Sequence, residues 1–568
     1  MTAERVWRVR PSSPLADKLA READLTPLTA QLLANRGILD PEEALAFLQP
    51  RLANLADPMQ MKGMEEAAGI ITEAIEGKRT IAVYGDYDAD GLTASALLVN
   101  FLGSLGASVL FYVPHRLKEG YGLHEKAVEE IARSGTRLLV TVDCGASNEK
   151  EVRLAQRLGM QVVVTDHHRM SREIRFPCPM INPTQAGCRF AFKDLAGVGV
   201  AFFLAVGVRA ALRRRGGFAE GGEPDLREYL DLVALGTVAD RVPLRGQNRI
   251  LVDGGIARMH HSRWEGLKAM AEAAELGPRA NTQDLAFRLA PRLNAPGRMG
   301  HAEICMQILT ETERASARRL AGELDAVNAL RQRVEKRILG EIQERVQQKG
   351  GPGDTRTLVV AGKEWDPGGL GIVASKLVDA YHRPALVLNV QAGKAVGSGR
   401  SIAGFDLFAA LTRMEHVFEK FGGHAQAAGF TLKESNVALL RIGLEDFARQ
   451  VLSGKDLRPG FDVDCEVPLD RISPELVQEL DSLAPFGEAN PEPLFLARSV
   501  PVLESRVVGG THLKMRVGRG EDGFEAIGFG MGGLHPLSGK QVDFLYTPEM
   551  NHWQGSERLQ LRLVDVKA

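Results

Sequence analysis

The sequence predicts an α/β fold: a parallel, doubly wound sheet, then a long connecting helix, a second smaller α/β unit and a C-terminal β-barrel. Three observations carry this. Four short runs, 81–84 (IAVY), 108–113 (SVLFYV), 137–142 (RLLVTV) and 161–165 (QVVVT), are rich in β-branched residues and alternate with helical segments, the pattern of strands buried on both faces. From 315 to 348, Leu320, Leu324, Val327, Leu330, Val334, Ile338, Ile342 and Val346 recur at steps of three or four, the period of an amphipathic helix. After Phe461 short alternating segments take over. In 512–517 (HLKMRV), Leu, Met and Val share one face and His, Lys and Arg the other, and 559–566 alternates similarly.

Residues 13–50 read as helical, with Asp40-Pro41-Glu42-Glu43 a helix start: Asp as N-cap, Pro in the first turn, Glu three residues after the cap. The first strand runs into GDYDADG, where Asp86, Asp88 and Asp90 fall within five residues. Carboxylates so crowded repel one another unless a cation sits among them. A calcium-binding EF-hand loop begins in the same way, but it is entered from a helix and needs a bidentate Glu where this chain has Leu97. In a parallel sheet the loops after successive strands converge on one edge. Asp143 follows the third strand, and Asp166, His167 and His168 follow the fourth. Singly, an aspartate caps a helix and a histidine is structural; arriving together at one edge they point to a metal-dependent active site.

Composition bounds the rest. At 568 residues the chain is too long for one core, and its net charge of −2 offers no bulk attraction to nucleic acid, so any such binding uses local patches. Five cysteines (Cys144, Cys178, Cys188, Cys305, Cys465) without a C-x-x-C pair argue for a reducing compartment. The N-terminus lacks a signal-peptide core, and the longest uncharged apolar run, 195–208, is too short to span a bilayer. A cytoplasmic, non-membrane protein is expected.

Downstream, Thr310 and Glu313 resemble a capping box opening the long helix, and 350–353 (GGPG) stops it. Its length corresponds to roughly 50 Å. No heptad persists, which favours a rigid connector over a coiled coil. Strands are expected at 357–362 and 384–390, and the stretches 397–401 (GSGRS) and 422–424 (GGH) combine close backbone approach with donors suited to phosphate. Residues 453–460 (SGKDLRPG) read as a linker.

YGDYDADG, VDCG and TDHH, in this order, resemble the DHH phosphoesterase superfamily, and 238–243 (VADRVP) resembles its fourth metal-binding element. His115-Arg116 with Gly120-Tyr121-Gly122, 292–298 (RLNAPGR), GSGRS and GGH are similar to elements of its branch of bacterial single-strand-specific 5′→3′ DNA exonucleases. The resemblance spans essentially the whole chain. It implies an N-terminal helical segment (1–50), a DHH catalytic domain (51–310), a connector helix (311–349), a DHH-associated α/β domain (350–455) and an OB-fold DNA-binding barrel (456–568). It further implies two ions, Mn²⁺ or Mg²⁺. Asp143 would bridge them, Asp88 with Asp86 would complete one site, and Asp90, His167 and Asp240 the other. Asp166 would orient His167, and His168 would contact the scissile phosphate. Arg116, Arg292, Asn294, Arg298, Ser398, Arg400, Ser401 and His424 would hold DNA phosphates. Two ions bridged by a carboxylate suit phosphodiester hydrolysis, here to 5′-mononucleotides. Implied partners are single-stranded DNA, a single-strand-binding protein and a helicase, with the enzyme a monomer acting in repair and recombination.

The rival readings are weaker. Pyrophosphatases of the superfamily carry histidine where this chain has Tyr84, and hydrolases of short oligonucleotides or cyclic dinucleotides are shorter. A non-catalytic DNA scaffold would have lost ligands that are all present here. A dinucleotide-binding oxidoreductase would need G-x-G-x-x-G after the first strand.

Overall fold

The computed structural model describes residues 5–568 apart from 117, 171–175, 219–221, 279, 301, 349, 455–456, 519–522 and 554–555. The expected linker at 453–460 therefore lies partly outside the described residues.

The first sheet has five parallel strands in the order Val109–Tyr112, Ile81–Gly85, Leu138–Val142, Gln161–Thr165, Met180–Ile181. The last, only two residues long, carries too little pattern to be read in advance. Every residue of Ile81–Gly85 and Leu138–Val142 is buried, because helices cover both faces. Met64–Glu76, Ala89–Ser104, Gly197–Arg214 and Leu230–Asp240 pack on one side, Glu125–Arg133 and Glu149–Arg157 on the other. The apolar run at 195–208 lies mostly in Gly197–Arg214, inside this core. Among the described residues no helix is long and apolar enough to cross a membrane.

The connector helix, Arg314–Gln348, belongs to two cores. Leu320 and Leu324 pack in the first domain, Ile338, Ile342 and Val346 in the second. A helix anchored at both ends in different cores acts as a strut. Its cap differs from the expected box: Thr310 ends the preceding helix Glu303–Thr310 and donates back to Met306 O at 2.8 Å. The Glu313 carboxylate does the capping, accepting from the N–H groups of Ala315 (3.0 Å) and Ser316 (2.6 Å).

The second α/β domain has a mixed sheet in the order Phe418–His424, Ala427–Lys433, Lys394–Arg400, Ala385–Gln391, Leu358–Lys363. GSGRS and GGH are therefore largely strand, and two of their glycines serve packing rather than ligand approach. A Cβ on Gly397 would fall 2.3 Å from the Phe430 ring, and one on Gly399 would fall 2.8 Å from Leu407. Alternation then turns Ser398 and Arg400 to the opposite face.

The barrel closes five strands, Phe495–Val508, His512–Val517, Phe524–Gly528, Ser556–Lys567 and Gln541–Trp553, through pairing of the first with the last. The N-terminal segment is not an independent helical unit. Val6–Val9 pairs in parallel with Gly460–Val463, and helices Pro14–Glu22, Pro27–Asn35 and Pro41–Leu48 share one core with the barrel, Leu19, Leu32, Leu33 and Phe47 packing with Phe495, Phe544 and Leu561. The start at Asp40 is as read, its carboxylate accepting from Glu43 N at 2.9 Å.

Candidate metal centre

The carboxylates and imidazoles converge because each loop leaves the same edge of the sheet. Asp86 follows Ile81–Gly85 beneath the start of helix Ala89–Ser104. Glycine is required at Gly91, where a Cβ would lie 2.6 to 2.8 Å from Asp86 backbone atoms. Asp88 caps that helix, its Oδ1 accepting from Asp90 N (3.0 Å) and Gly91 N (3.1 Å). Asp90 is buried, and its two oxygens accept from Gly197 N (2.6 Å) and Val198 N (2.8 Å), the opening residues of another helix. Asp143 leaves Leu138–Val142 in the left-handed region, with φ 58°. Its side chain presses on Gly197, where a Cβ would fall 2.6 Å from Oδ1. Asp240 ends helix Leu230–Asp240.

Three overlapping groups result: Asp86, Asp88 and Asp143; Asp90, His167 and Asp240; Asp143, His167 and His168, each with ligand atoms within 4.8 Å of one another. Asp143 is common to two of them. His167 Nε2 lies 3.1 Å from Asp143, 3.7 Å from Asp240 and 3.9 Å from Asp90. Asp86 Oδ1, Asp143 Oδ1 and His167 Nε2 are buried without a hydrogen-bond partner. Buried polar atoms are otherwise paired almost everywhere in proteins, so these three mark places for a cation.

The electrostatics agree. Burial, and then neighbouring carboxylates, push Asp86 and Asp143 well above the usual range. Burial followed by Asp90 carries Asp240 to about 7. Such a cluster is held neutral or by bound positive charge. Asp166 behaves differently: it is buried, but hydrogen bonds and the two imidazoles outweigh that burial and lower its pKa. Its Oδ2 accepts from Ala146 N (2.8 Å), and its Oδ1 from the N–H groups of His167 (2.8 Å) and His168 (3.0 Å). The same Oδ1 faces His168 Nδ1 at 2.8 Å. Asp166 is thus fully occupied in shaping the histidine loop. Burial opposes the charged form of His168, but Asp166 raises its pKa to about 9. A carboxylate and imidazole donor set suits Mn²⁺ or Mg²⁺.

A second set gathers where the two α/β domains meet. Arg116 lies 4.9 Å from the centre of the Tyr87 ring. Asn294 Oδ1 accepts from Ala89 N at 2.9 Å, and a Cβ on Gly297 would fall 2.9 Å from Tyr87 O, so 292–298 is pressed against the acidic loop. Arg298 crosses to the second domain, donating to Gly368 O at 3.2 Å. Arg400 donates to Ser398 Oγ (3.2 Å) and Gly399 O (2.8 Å). A Cβ on Gly371, in the first turn of helix Leu370–Tyr381, would lie 2.9 Å from Arg400 Nη2. Burial and then the neighbouring guanidiniums lower Arg298 to about 9, and burial followed by Arg116 lowers Arg400.

Models of three families match the chain: the DHH family, N-terminal domain, over residues 80–237, the DHHA1 domain over 354–450, and the RecJ OB domain over 463–565. The single-stranded-DNA-specific exonuclease RecJ of Bacillus subtilis is 38% identical over 99% of this chain and 70% of its own length. That of Escherichia coli is 36% identical, over 96% of each. The crystal structure of RecJ in complex with Mn²⁺ from Thermus thermophilus superposes with a TM-score of 0.83 at 32% identity, covering 99% of this chain and 79% of that one. The chain belongs to the RecJ family.

Several residues expected to contact DNA make contacts within the protein. Arg292 lies in helix Ala290–Met299 and turns to the connector, pairing with Asp325 at 2.7 Å and donating to Arg288 O at 2.6 Å. Ser401 closes its own turn, donating to Phe405 O at 2.7 Å. His424 is exposed at a strand end and accepts from Gln426 N at 3.3 Å. On the barrel, Lys514 pairs with Glu525 at 2.5 Å and Arg516 with Glu504 at 2.8 Å. The basic face read from 512–517 is therefore neutralised by partners on adjacent strands, which the strand's own sequence does not show.

Other residues went unassigned in the sequence. Tyr121 Oη lies 3.0 Å from His168 Nδ1 and donates to Asp143 O at 3.3 Å, tying the histidine loop to the backbone of Asp143. It sits between Gly120 and Gly122, a stretch recognised without a role for its tyrosine. Phe287 is 78% exposed, on an irregular helical turn, Leu285–Leu289. It lines a groove of about 570 Å³ with Val238, Ala239, Asn294 and Asp379. In the sequence AFRLA it is indistinguishable from a core residue.

Proposed function

We propose that this RecJ-family chain is a metal-dependent exonuclease that degrades single-stranded DNA from the 5′ end to 5′-mononucleotides. The observation that carries the reading is the shared Asp143, flanked by buried unpaired donors on both sides, facing an arginine-lined junction across the domain gap. One site would use Asp86, Asp88 and Asp143, the other Asp90, Asp143, His167 and Asp240. Two divalent ions, Mn²⁺ or Mg²⁺, supply the Lewis acidity and neutral-pH nucleophile that phosphodiester hydrolysis requires. Asp166 holds His168 through Nδ1, leaving Nε2 to donate to the scissile phosphate or the departing 3′ oxygen. Asp166 thus acts through both histidines.

Polarity requires that the distance from the strand terminus to the metals be measured. Arg116, Ser398 and Arg400, with the first turn of Leu370–Tyr381, form a pocket suited to a terminal 5′-phosphate, since guanidinium forks and helix N-termini favour phosphate oxygens. Beside Ser398, Gly422 and Gly429 pair across adjacent strands, and a Cβ on either would meet nothing within 4 Å. That bare backbone offers a flat surface to a strand. The groove past Asp240 supplies Phe287 as a stacking platform. In domain terms, 51–310 performs chemistry, 311–349 positions 350–455 over it, and 456–568 with 1–50 extends the strand's path. In a cytoplasm, a helicase and a single-strand-binding protein would supply substrate to this enzyme, acting as a monomer in repair and recombination.

A time course on 5′-labelled DNA with Mn²⁺ or chelator tests the reading. Single strands and 5′ overhangs are degraded and blunt duplex resists. Equal rates on blunt duplex, or full activity in chelator, would overturn it.

A further inference from the structure

The arginine junction contains one buried acid that the proposed chemistry does not use. Glu335, on the connector helix, is 1% exposed. Its Oε1 accepts from Arg331 Nη1 at 2.8 Å, and its Oε2 from Lys376 Nζ at 3.2 Å. Arg331 also donates to Asn328 Oδ1 at 2.9 Å, while its Nε is buried without a partner, as is that of Arg298. Glu335 Cγ lies 3.7 Å from where a Cβ on Gly369 would sit, at the entry to helix Leu370–Tyr381. On the same turn, a Cβ on Gly371 would lie 2.9 Å from Arg400 Nη2 and 3.1 Å from Ser398 Oγ. About one turn of backbone therefore separates a buried carboxylate from the pocket for a terminal phosphate. Among the side chains whose charges act most on Arg298, Arg116, Arg331 and Arg400 are positive and Glu335 alone is negative.

A cross-link between the connector and this helix needs no charge so close to an anion site. A carboxylate there opposes any phosphate that binds, and it offsets the mutual repulsion of the arginines when the pocket is empty. An exonuclease must also release a 5′-mononucleotide after every cleavage. We propose that Glu335 is the counter-charge that sets the affinity of this pocket, keeping the arginines ordered between cycles and weakening their hold so that product leaves. The inference rests on the reading of Arg116, Ser398 and Arg400 as the terminal-phosphate pocket.

Inhibition of the full-length, Mn²⁺-loaded enzyme by thymidine 5′-monophosphate tests it, with thymidine as the control for base and sugar. Glu335→Gln keeps the shape and removes the charge. Its inhibition constant should fall about tenfold, the scale of one charge acting across a partly buried gap, and KM should fall for 5′-phosphorylated strands but not for 5′-hydroxyl ones. Lys376→Met, at a half-exposed side chain, leaves Glu335 less neutralised and should shift inhibition the opposite way. A contact that is only structural would move both variants in the same direction, or neither, and either result overturns the proposal. If Glu335→Gln does not fold, the double variant Glu335→Met/Lys376→Met, which removes both charges together, is compared with Lys376→Met alone: tighter inhibition in the double variant supports the proposal, and equal or weaker inhibition overturns it. Arg400→Ala, measured in parallel, separates the two levels. Wild-type inhibition in that variant removes the pocket itself. Weakened inhibition there, with no gain in Glu335→Gln, removes only the role of Glu335.

Discussion

The catalytic domain meets its neighbours at two junctions built from arginine, with opposite results. Toward the barrel, Arg249 is 1% exposed. Its guanidinium donates to the carbonyls of Phe47 (2.6 Å), Leu483 (3.0 Å), Ser482 (3.2 Å) and Ala484 (2.6 Å), and its centre lies 3.8 Å from that of the Phe47 ring. Within the barrel unit, Arg36 is held similarly by Asn490 Oδ1 (2.7 Å) and Leu32 O (2.8 Å). Toward the second α/β domain, Arg298 and Arg331 keep buried Nε–H groups unpaired, and Arg298 and Arg400 stand among like charges. A buried guanidinium whose donors meet carbonyls is a fastener. A cluster with donors to spare keeps hydrogen-bonding capacity for an anion.

That contrast can be broken by experiment, and the metal centre gives the largest effect. Asp143→Asn removes a buried, partnerless carboxylate oxygen from a repelling cluster. It should lower nuclease turnover by about 10³-fold or more without lowering the Tm of the metal-free protein; a folded variant with near-wild-type turnover would end the bridging assignment. Next is the fastener: Arg249→Met should cost about 3 kcal/mol, because buried carbonyls that accepted charge-assisted hydrogen bonds are left unpaired, measured as a lower denaturation midpoint. The ratio of rates on 5′-phosphorylated and 5′-hydroxyl strands should stay unchanged. Arg400→Ala should do the reverse, slowing 5′-phosphorylated substrates by about 10-fold or more, the scale of a lost charge-assisted hydrogen bond, sparing 5′-hydroxyl ones and leaving Tm in place. Equal loss on both substrates would mean that Arg400 merely tracks the backbone. Phe287→Ala should have the smallest effect, weakening binding of long single strands by about fivefold, the low end of base stacking, with Tm unmoved because the ring is already in solvent.

How much was legible depended on the range over which each feature is decided. Asp86, Asp88, Asp90, Asp143 and the histidine pair could be placed together from sequence because parallel strands deliver their following loops to one edge, a rule that acts within each strand–loop–helix unit. The connector was legible for the same reason, its apolar period being local. The Arg292–Asp325 pair was not legible because the partner lies 33 residues away, on the connector. Lys514 and Arg516 looked like a basic face because the glutamates that neutralise them sit on other strands.

The sequence by itself therefore determined which carboxylates and imidazoles gather at the sheet edge, the order of the domains and the strut between them. Only the tertiary structure decided that the three N-terminal helices share a core with the barrel, that one arginine junction is closed and the other open, and that Phe287 faces solvent. The physical reason is that periodicity reports that a face will be buried but not what will cover it. Which partner arrives, and whether it brings enough acceptors to satisfy a buried cation, is settled only when distant segments pack.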